Sequence, residues 1–420
     1  VALAVAALLA VTGCTTSEPP TDRRPSPGAA GTADRKPCQD TIAENCREIT
    51  VAGRIHRYYL AAPEKGSSDA GLLIDVGGPG MSLSGVLPVD YPTSFRAELG
   101  ATTAGKNLLL IEEPWVTGTF DPSCTASSGE FYAAARSDWR ALGSAAAPRM
   151  QCPWGQGTYG WTRDTYREVL SAIMAKEGLK TLDMAAISFG AVRYSYIDDM
   201  VGNVTLVRPA AAPGTSNATI LQARTEQLWK ALAGRCSGCT TTDVRRNVDL
   251  VLRRYAGTST ELAGRSVPVT DFDVASAFVA AAISTAAEPS LHWRAGSGDV
   301  DQKAAAQLSD ALWMRIGEQD VSPALVAYAD EYCQAYAGAV VPDGTDPISG
   351  ILTAPSLCSG RTASGHRPVR PVDCLVIGVN DTSAPGALAK TWTVDADGIT
   401  VLAEGRRHWF TDVDRCAKGR

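Results

Sequence analysis

Apolar positions along the chain fall into two textures. Short, nearly unbroken apolar runs occur at Gly71–Val76, Asn107–Glu112, Leu182–Ile187, Val204–Arg208 and Val372–Val379, with a last one at Ile399–Ala403. Runs of this kind suit strands covered on both faces, as in a parallel sheet. Ile49–Ala61 reads as one or two further strands. Between the runs, apolar residues recur at helical spacing: Tyr166, Val169, Leu170, Ile173 and Met174 predict a helix, with Gly178 as its stop. Strands alternating with helices predict an α/β protein with a doubly wound, mostly parallel sheet. There is no internal repeat.

The texture changes at residues 213–356, where strand signals nearly vanish and alanine and helix formers dominate. Ile220, Leu221, Leu228 and Leu232 form one stripe, and Val244–Tyr255, Val274–Ile283 and Ala304–Ile316 form others. Helices inserted between strands of one sheet make a cap over an active site. The expected division is a core at residues 37–212, the helical cap at 213–356, and the rest of the core at 357–420. Trp229, Trp293, Trp313, Tyr328 and Tyr332 are available to line a pocket, although aromatics at helical spacing more often fill a core.

The first residues change the compartment. Val1–Val11 is apolar and of signal-peptide length, and Thr12-Gly13-Cys14 follows it. Residues 1–14 are therefore expected to be a bacterial lipoprotein-type signal with Cys14 lipidated. Residues 15–36, rich in Ser, Thr, Pro, Gly, Asp and Arg, are the expected flexible tether. Apart from Cys14, ten cysteines remain, an even number that reads as disulfides in an exported chain. Connectivity is open; pairing each with its neighbour gives Cys38–Cys46, Cys124–Cys152, Cys236–Cys239, Cys333–Cys358 and Cys374–Cys416. Cys236-Ser-Gly-Cys239 has no second cysteine pair and no nearby histidine, so a bridge is expected there rather than a zinc or redox site. A formal charge of −6 disfavours nucleic acid. No stretch is long enough to span a bilayer, so contact with a membrane is expected only through a lipid on Cys14.

The chemistry centres on Ser188. The apolar run Leu182–Ile187 passes through Ser188-Phe189-Gly190 into a helix-like stretch. A strand, a sharp turn and a helix present a nucleophilic serine, and the helix N-terminus faces developing negative charge. A serine needs a base, and the base needs an orienting carboxylate. Of His56, His292, His366 and His408, only His408 follows the last strand near the C-terminus, where chain order puts the base. Asp381 lies in the loop leaving the Cys374–Val379 strand, whereas Asp373 precedes that strand and falls at the wrong end of the sheet. Gly77-Gly78-Pro79-Gly80 follows an early strand. Glycines there let backbone N–H groups approach a substrate, so Gly78 and Phe189 are the expected oxyanion-hole donors.

As a set these motifs resemble α/β hydrolases of the prolyl iminopeptidase and actinobacterial tripeptidyl aminopeptidase kind. The resemblance rests on Val76-Gly77-Gly78-Pro79-Gly80, Ala186-Ile187-Ser188-Phe189-Gly190-Ala191, Gly378-Val379-Asn380-Asp381-Thr382-Ser383-Ala384-Pro385 and His408, and covers roughly residues 37–416. It implies the α/β-hydrolase fold with an inserted helical cap, and a secreted or surface-anchored enzyme that trims peptides from the N-terminus. Ser188 would attack, His408 shuttle the proton and Asp381 orient His408. In such enzymes cap carboxylates hold the substrate ammonium, which makes Glu226, Asp330 and Glu331 candidates. The sequence departs from the family pattern at Val76, Ala186 and Ala191, and at Glu112-Glu113-Pro114-Trp115.

The leading expectation is a serine hydrolase of small peptide or amide substrates, monomeric and needing no metal or organic cofactor. Two alternatives stay open. The same triad serves a carboxylesterase, and a retained triad without turnover would leave a surface binding protein.

Overall fold

The computed structural model describes residue 38 and residues 45–418, except 67, 84–86, 88–89, 142–149, 236–237, 266, 284–298, 315–321, 337–345, 353–357, 359–364 and 405–407. Cys14, the tether, Trp293 and His292 lie outside the described residues.

The sheet starts with a hairpin. β1 (Cys46–Val51) and β2 (Arg54–Ala61) are antiparallel and joined by Ala52-Gly53. Both turn residues have positive φ (49° and 77°), the backbone that a two-residue turn needs to match strand twist. β2 pairs antiparallel with β4 (Asn107–Ile111). The remaining strands, β3 (Ala70–Asp75), β5 (Thr181–Ser188), β6 (Val204–Pro209), β7 (Val372–Gly378) and β8 (Val394–Ala403), run parallel to β4 and to one another. The order is β1-β2-β4-β3-β5-β6-β7-β8. From β3 the chain steps one way to β4 and then crosses to β5 on the other side of β3. Winding therefore reverses between β3 and β5, and a crevice opens at their carboxyl ends, where such sheets bind ligands.

Side chains alternate between the two faces. Leu72, Ile74, Leu108, Leu110, Ala185, Ile187, Val376 and Val401 pack on one side, with Tyr91, Phe95 and Leu99 of helix α1 (Tyr91–Leu99). Leu73, Leu109, Met184, Ala186, Leu206 and Leu375 face the other side, toward α2 (Pro122–Ser137), α3 (Arg163–Glu177) and the helices that follow β6. In α3, Thr162 and Thr165 form a reciprocal cap and Gly178 closes the end at φ 68°. Its buried Tyr166, Val169, Leu170 and Ile173 contribute roughly 6–12 kcal/mol of gross burial free energy, before entropy.

After β5 comes α4 (Gly190–Ile197). Between β6 and β7 lie α5 (Asn217–Ala233), α6 (Thr241–Tyr255), α7 (Asp271–Ile283), α8 (Gln302–Leu312) and α9 (Pro323–Ala335). This is an α/β-hydrolase fold, a doubly wound and mostly parallel sheet with a helical insertion. α8 stops at Leu312 rather than Ile316. β8 begins at Val394, well before Ile399, because its first half carries the exposed Asp395 and Asp397 and so lacks an apolar run. α1 and α2 give weak periodicity in sequence; α2 buries mainly small residues such as Ser127, Ser128 and Ala135 beside Phe131 and Tyr132.

Among the described residues, four bridges join Cys38–Cys46, Cys124–Cys152, Cys333–Cys358 and Cys374–Cys416. Cys239 is disulfide-bonded, and its expected partner Cys236 lies outside the described residues. No helix among the described residues is long and apolar enough to cross a membrane.

Candidate active site

β5 ends on Ser188, which has φ 55° and is 5% exposed. A non-glycine residue with this backbone stores roughly 1–3 kcal/mol of strain, and the surrounding ladder holds it there. The register with β6 shifts between Ile187 and Ser188, and the Ser188 carbonyl accepts from the Ala210 amide at 2.9 Å. Close backbone approach demands small neighbours. A Cβ on Gly77 would fall 2.7 Å from the Ile187 carbonyl oxygen, and one on Gly190 would fall 2.6 Å from Asp75 Oδ1. Ala186 and Ala191 are fully buried on either side of the turn.

Asp381 and His408 meet. His408 Nδ1 lies 2.5 Å from Asp381 Oδ2. The other carboxylate oxygen accepts from the amides of Ser383 (2.8 Å) and Ala384 (2.9 Å), which fixes its direction. Buried Arg208 reaches Oδ2 at 3.5 Å. With Asp381 accepting at Nδ1, that nitrogen carries the proton and Nε2 is left as the basic nitrogen. His408 Nε2 is buried and has no hydrogen-bond partner among the described residues; the bond expected from Ser188 is not formed. Such contacts commonly close only around substrate. Asp373 caps the opposite edge of the sheet, accepting from the Val204 amide at 2.7 Å.

Gly78, Ser188 and Phe189 line one pocket, so both expected oxyanion donors lie around the serine. Ser383, two residues from Asp381, lines it too. The opposite wall is Ile220 and Arg224 of α5 with Tyr328 and Tyr332 of α9 and Tyr336 beyond its end. The three tyrosines form a ladder, with ring centroids 5.4 and 4.8 Å apart, that continues to Phe189 at 6.2 Å. Trp229 and Trp313 are core residues instead. Their indole N–H groups donate to Asp346 and Ser276.

Behind the glycine loop lies a buried ionic cluster that sequence reasoning missed. Arg193 of α4 donates to Asp75 (3.2 Å), the Gly77 carbonyl (3.2 Å), Glu113, and both oxygens of Glu331 (2.8 and 3.1 Å). Asp75 in turn accepts from the Gly77 amide (2.9 Å) and the Tyr166 hydroxyl (3.1 Å). One cation thus ties the elbow helix, the glycine loop, the segment after β4 and α9 together. Burial pushes Glu113 well above the usual carboxylate range; Glu331 and Asp75 push it further, against the pull of Arg193. Burial also raises Glu331, partly offset by Arg193. The only hint in sequence is that Arg193 is the one charge in Gly190–Ile197.

The candidate ammonium-binding residues lie elsewhere. Glu331 is held by Arg193 and by the Trp161 amide, Asp330 accepts from the Gly155 amide at 2.9 Å, and Glu226 is exposed beside Gln222. None of them lines the Ser188 pocket. His56 is buried in β2 against Trp161, and burial followed by Arg54 lowers its pKa to about 4.

No protein-family model matches the sequence, and no curated protein sequence matches it. Among solved structures, the proline iminopeptidase of Mycobacterium smegmatis is 12% identical over 89% of this chain and 94% of its own, with a TM-score of 0.36. The enol-lactonase from Burkholderia xenovorans LB400 is 14% identical over 89% and 96%, with a TM-score of 0.32. An alpha-beta serine hydrolase homologue from Coxiella burnetii is 13% identical over 40% of this chain with a TM-score of 0.25, and the chain spans 64% of that protein's length. Likenesses this distant carry nothing about chemistry. By its own strand order, the strained serine ending β5 and the loops after β7 and β8, the chain has the α/β-hydrolase fold.

Proposed function

We propose that this chain is a serine hydrolase acting on acyl bonds outside the reducing cytoplasm. Ser188 Oγ adds to a substrate carbonyl while its proton passes to His408 Nε2. Asp381 holds the imidazole by its Nδ1–H and stabilises the imidazolium. The amides of Gly78 and Phe189 receive the carbonyl oxygen as it gains charge. His408 then gives the proton to the leaving group, and an acyl-enzyme remains on Ser188. A water, deprotonated by His408, releases the acid and restores the serine. The observation that carries this reading is the strained Ser188 at the end of β5 together with the Asp381–His408 pair in loops of the same sheet edge. Four disulfides among the described residues support an exported chain, with a lipid on Cys14 as the proposed anchor.

Small peptides and amides remain the proposed substrates on the strength of the sequence motifs. A second reading, esterase, is favoured by one observation: among the described residues no Asp or Glu lines the Ser188 pocket to hold a free ammonium. A fluorophosphonate probe tests the reaction class. Modification of native protein at Ser188, absent in Ser188→Ala and after heat denaturation, is expected. A folded wild-type protein that stays unlabelled would refute it. Aminoacyl nitroanilides, free and blocked at the N-terminus, compared with short acyl esters then separate peptidase from esterase.

A further inference from the structure

The charge facing the serine is positive. Arg224 lines the Ser188 pocket among Tyr328, Tyr332 and Tyr336. It forms no ion pair among the described residues, although the chain has 45 acidic residues against 39 basic ones. The more deeply buried arginines all have acidic partners. Arg193 pairs with Asp75, Glu113 and Glu331, Arg208 with Asp381, Arg136 with Asp273, and Arg265 with Asp273 and Asp310. Arginine keeps its charge at any working pH, and a half-buried guanidinium in an aromatic wall is left to find its counter-ion in solvent or in an occupant of the pocket. A second group points the same way. The Tyr328 hydroxyl is buried in the same wall beside Arg224, and among the described residues its O–H has no acceptor. A guanidinium fork and a phenol O–H both donate, so an occupant that satisfies them must accept. A substrate ammonium is repelled there.

We propose that the Ser188 pocket selects substrates carrying a carboxylate a few bonds from the scissile carbonyl, with Arg224 as its counter-ion and the Tyr328 hydroxyl as a further donor. This rests on the serine-hydrolase reading and names its substrate class. Apolar walls at Ile220, Ala211 and Leu388 accommodate the short chain between the two ends. A planar carboxylate matches the guanidinium fork with two parallel hydrogen bonds.

The test uses the whole wild-type protein, first labelled with a fluorophosphonate to establish that Ser188 is reactive. Two matched pairs then report kcat/KM. Glutaryl against butyryl 4-nitroanilide puts the carboxylate on the acyl side. 5-Butyrylamino-2-nitrobenzoate against butyryl 4-nitroanilide puts it on the leaving group. A preference of about 10- to 100-fold for the anionic member of at least one pair is expected, the range for hydrogen bonds to charged partners. That ratio falls toward unity in Arg224→Gln and is partly kept in Arg224→Lys. Glutarate also slows labelling of the wild-type protein more than glutaramide does, a measurement that needs no variant to fold. Labelled, active protein that prefers the neutral member of both pairs, or treats them alike, overturns the proposal and leaves the serine-hydrolase reading standing. Wild-type protein that is never labelled takes both down.

Discussion

Glu113→Gln is expected to stabilise the protein, and increasingly so as pH rises. Glu113 is 97% enclosed beside the glycine loop; its Oε1 accepts from Arg193 and lies 3.0 Å from where a Gly78 Cβ would be, and its Oε2 has no partner. With Asp75 and Glu331 also around Arg193, full ionisation would leave three buried negative charges against one positive charge. Burial and those neighbours therefore hold Glu113 protonated above its ordinary value of 4.5. It titrates jointly with Glu331, so one proton belongs to the pair. A carboxyl raised on folding contributes stability that is complete below the unfolded pKa and lost as pH climbs through the folded one. Above pH 4.5, each pH unit thus costs the wild type about 1.4 kcal/mol until the proton leaves. Glutamine keeps the shape and the Arg193 acceptor and has no proton to lose. Urea melts of both proteins at pH 4.5, 5.5, 6.5 and 7.5, with disulfides intact, measure the gap directly. It should open by about 1.4 kcal/mol per pH unit in favour of the variant and then level off. A variant less stable than wild type by a constant amount at every pH would show that Glu113 is ionised and serves as the counter-ion of Arg193, and would refute this account.

Asp381→Asn should lower kcat by about 10⁴-fold with little change in KM, because the imidazole loses its tautomer while the pocket keeps its shape; steady-state kinetics on whichever acyl substrate is turned over checks this, and a tenfold loss or less would remove Asp381 from the relay. Replacing Cys374 and Cys416 together by serine opens a loop of 42 residues and should cost about 4 kcal/mol in chemical denaturation. Gly80→Ala places a Cβ 2.2 Å from the Ala324 carbonyl oxygen on a backbone at φ 85°; a loss of roughly 2–5 kcal/mol is expected from the thermal midpoint, with Gly66→Ala, where nothing crowds the new methyl, losing less.

The central strands were legible because both their faces are covered, so β3, β4, β5, β6 and β7 appear as continuous apolar runs. β8 was only half legible because a strand at the sheet edge with one wet face tolerates Asp395 and Asp397. Asp381 could be placed because chain order and sheet edge constrain an acid independently of its neighbours. The pocket's charge could not. Arg224 sits among Gln222, Thr225 and Glu226, a polar stretch that reads as a solvent face until α5 is packed against α9. Arg193 and its three carboxylates come from four separated segments. No local spacing links Asp75, Glu113, Arg193 and Glu331, and only the β3–β5 reversal gathers them.

The Arg193 cluster also decides which wall of the pocket can yield. Lifting α9 from the sheet would strip Glu331 from Arg193 and leave unbalanced charge in the interior, a penalty of about 3–5 kcal/mol. α9 and its tyrosines therefore travel with the catalytic floor as one rigid piece. α5 is joined to α9 without an ion pair among the described residues: the Tyr332 hydroxyl donates to Asn217 Oδ1 at 3.0 Å, Ile220 is buried nearby, and the remaining deeply buried residues of α5 begin at Leu228. The pocket is therefore walled on one side by a helix fixed through charge and on the other by a helix fixed through one buried hydrogen bond and apolar packing.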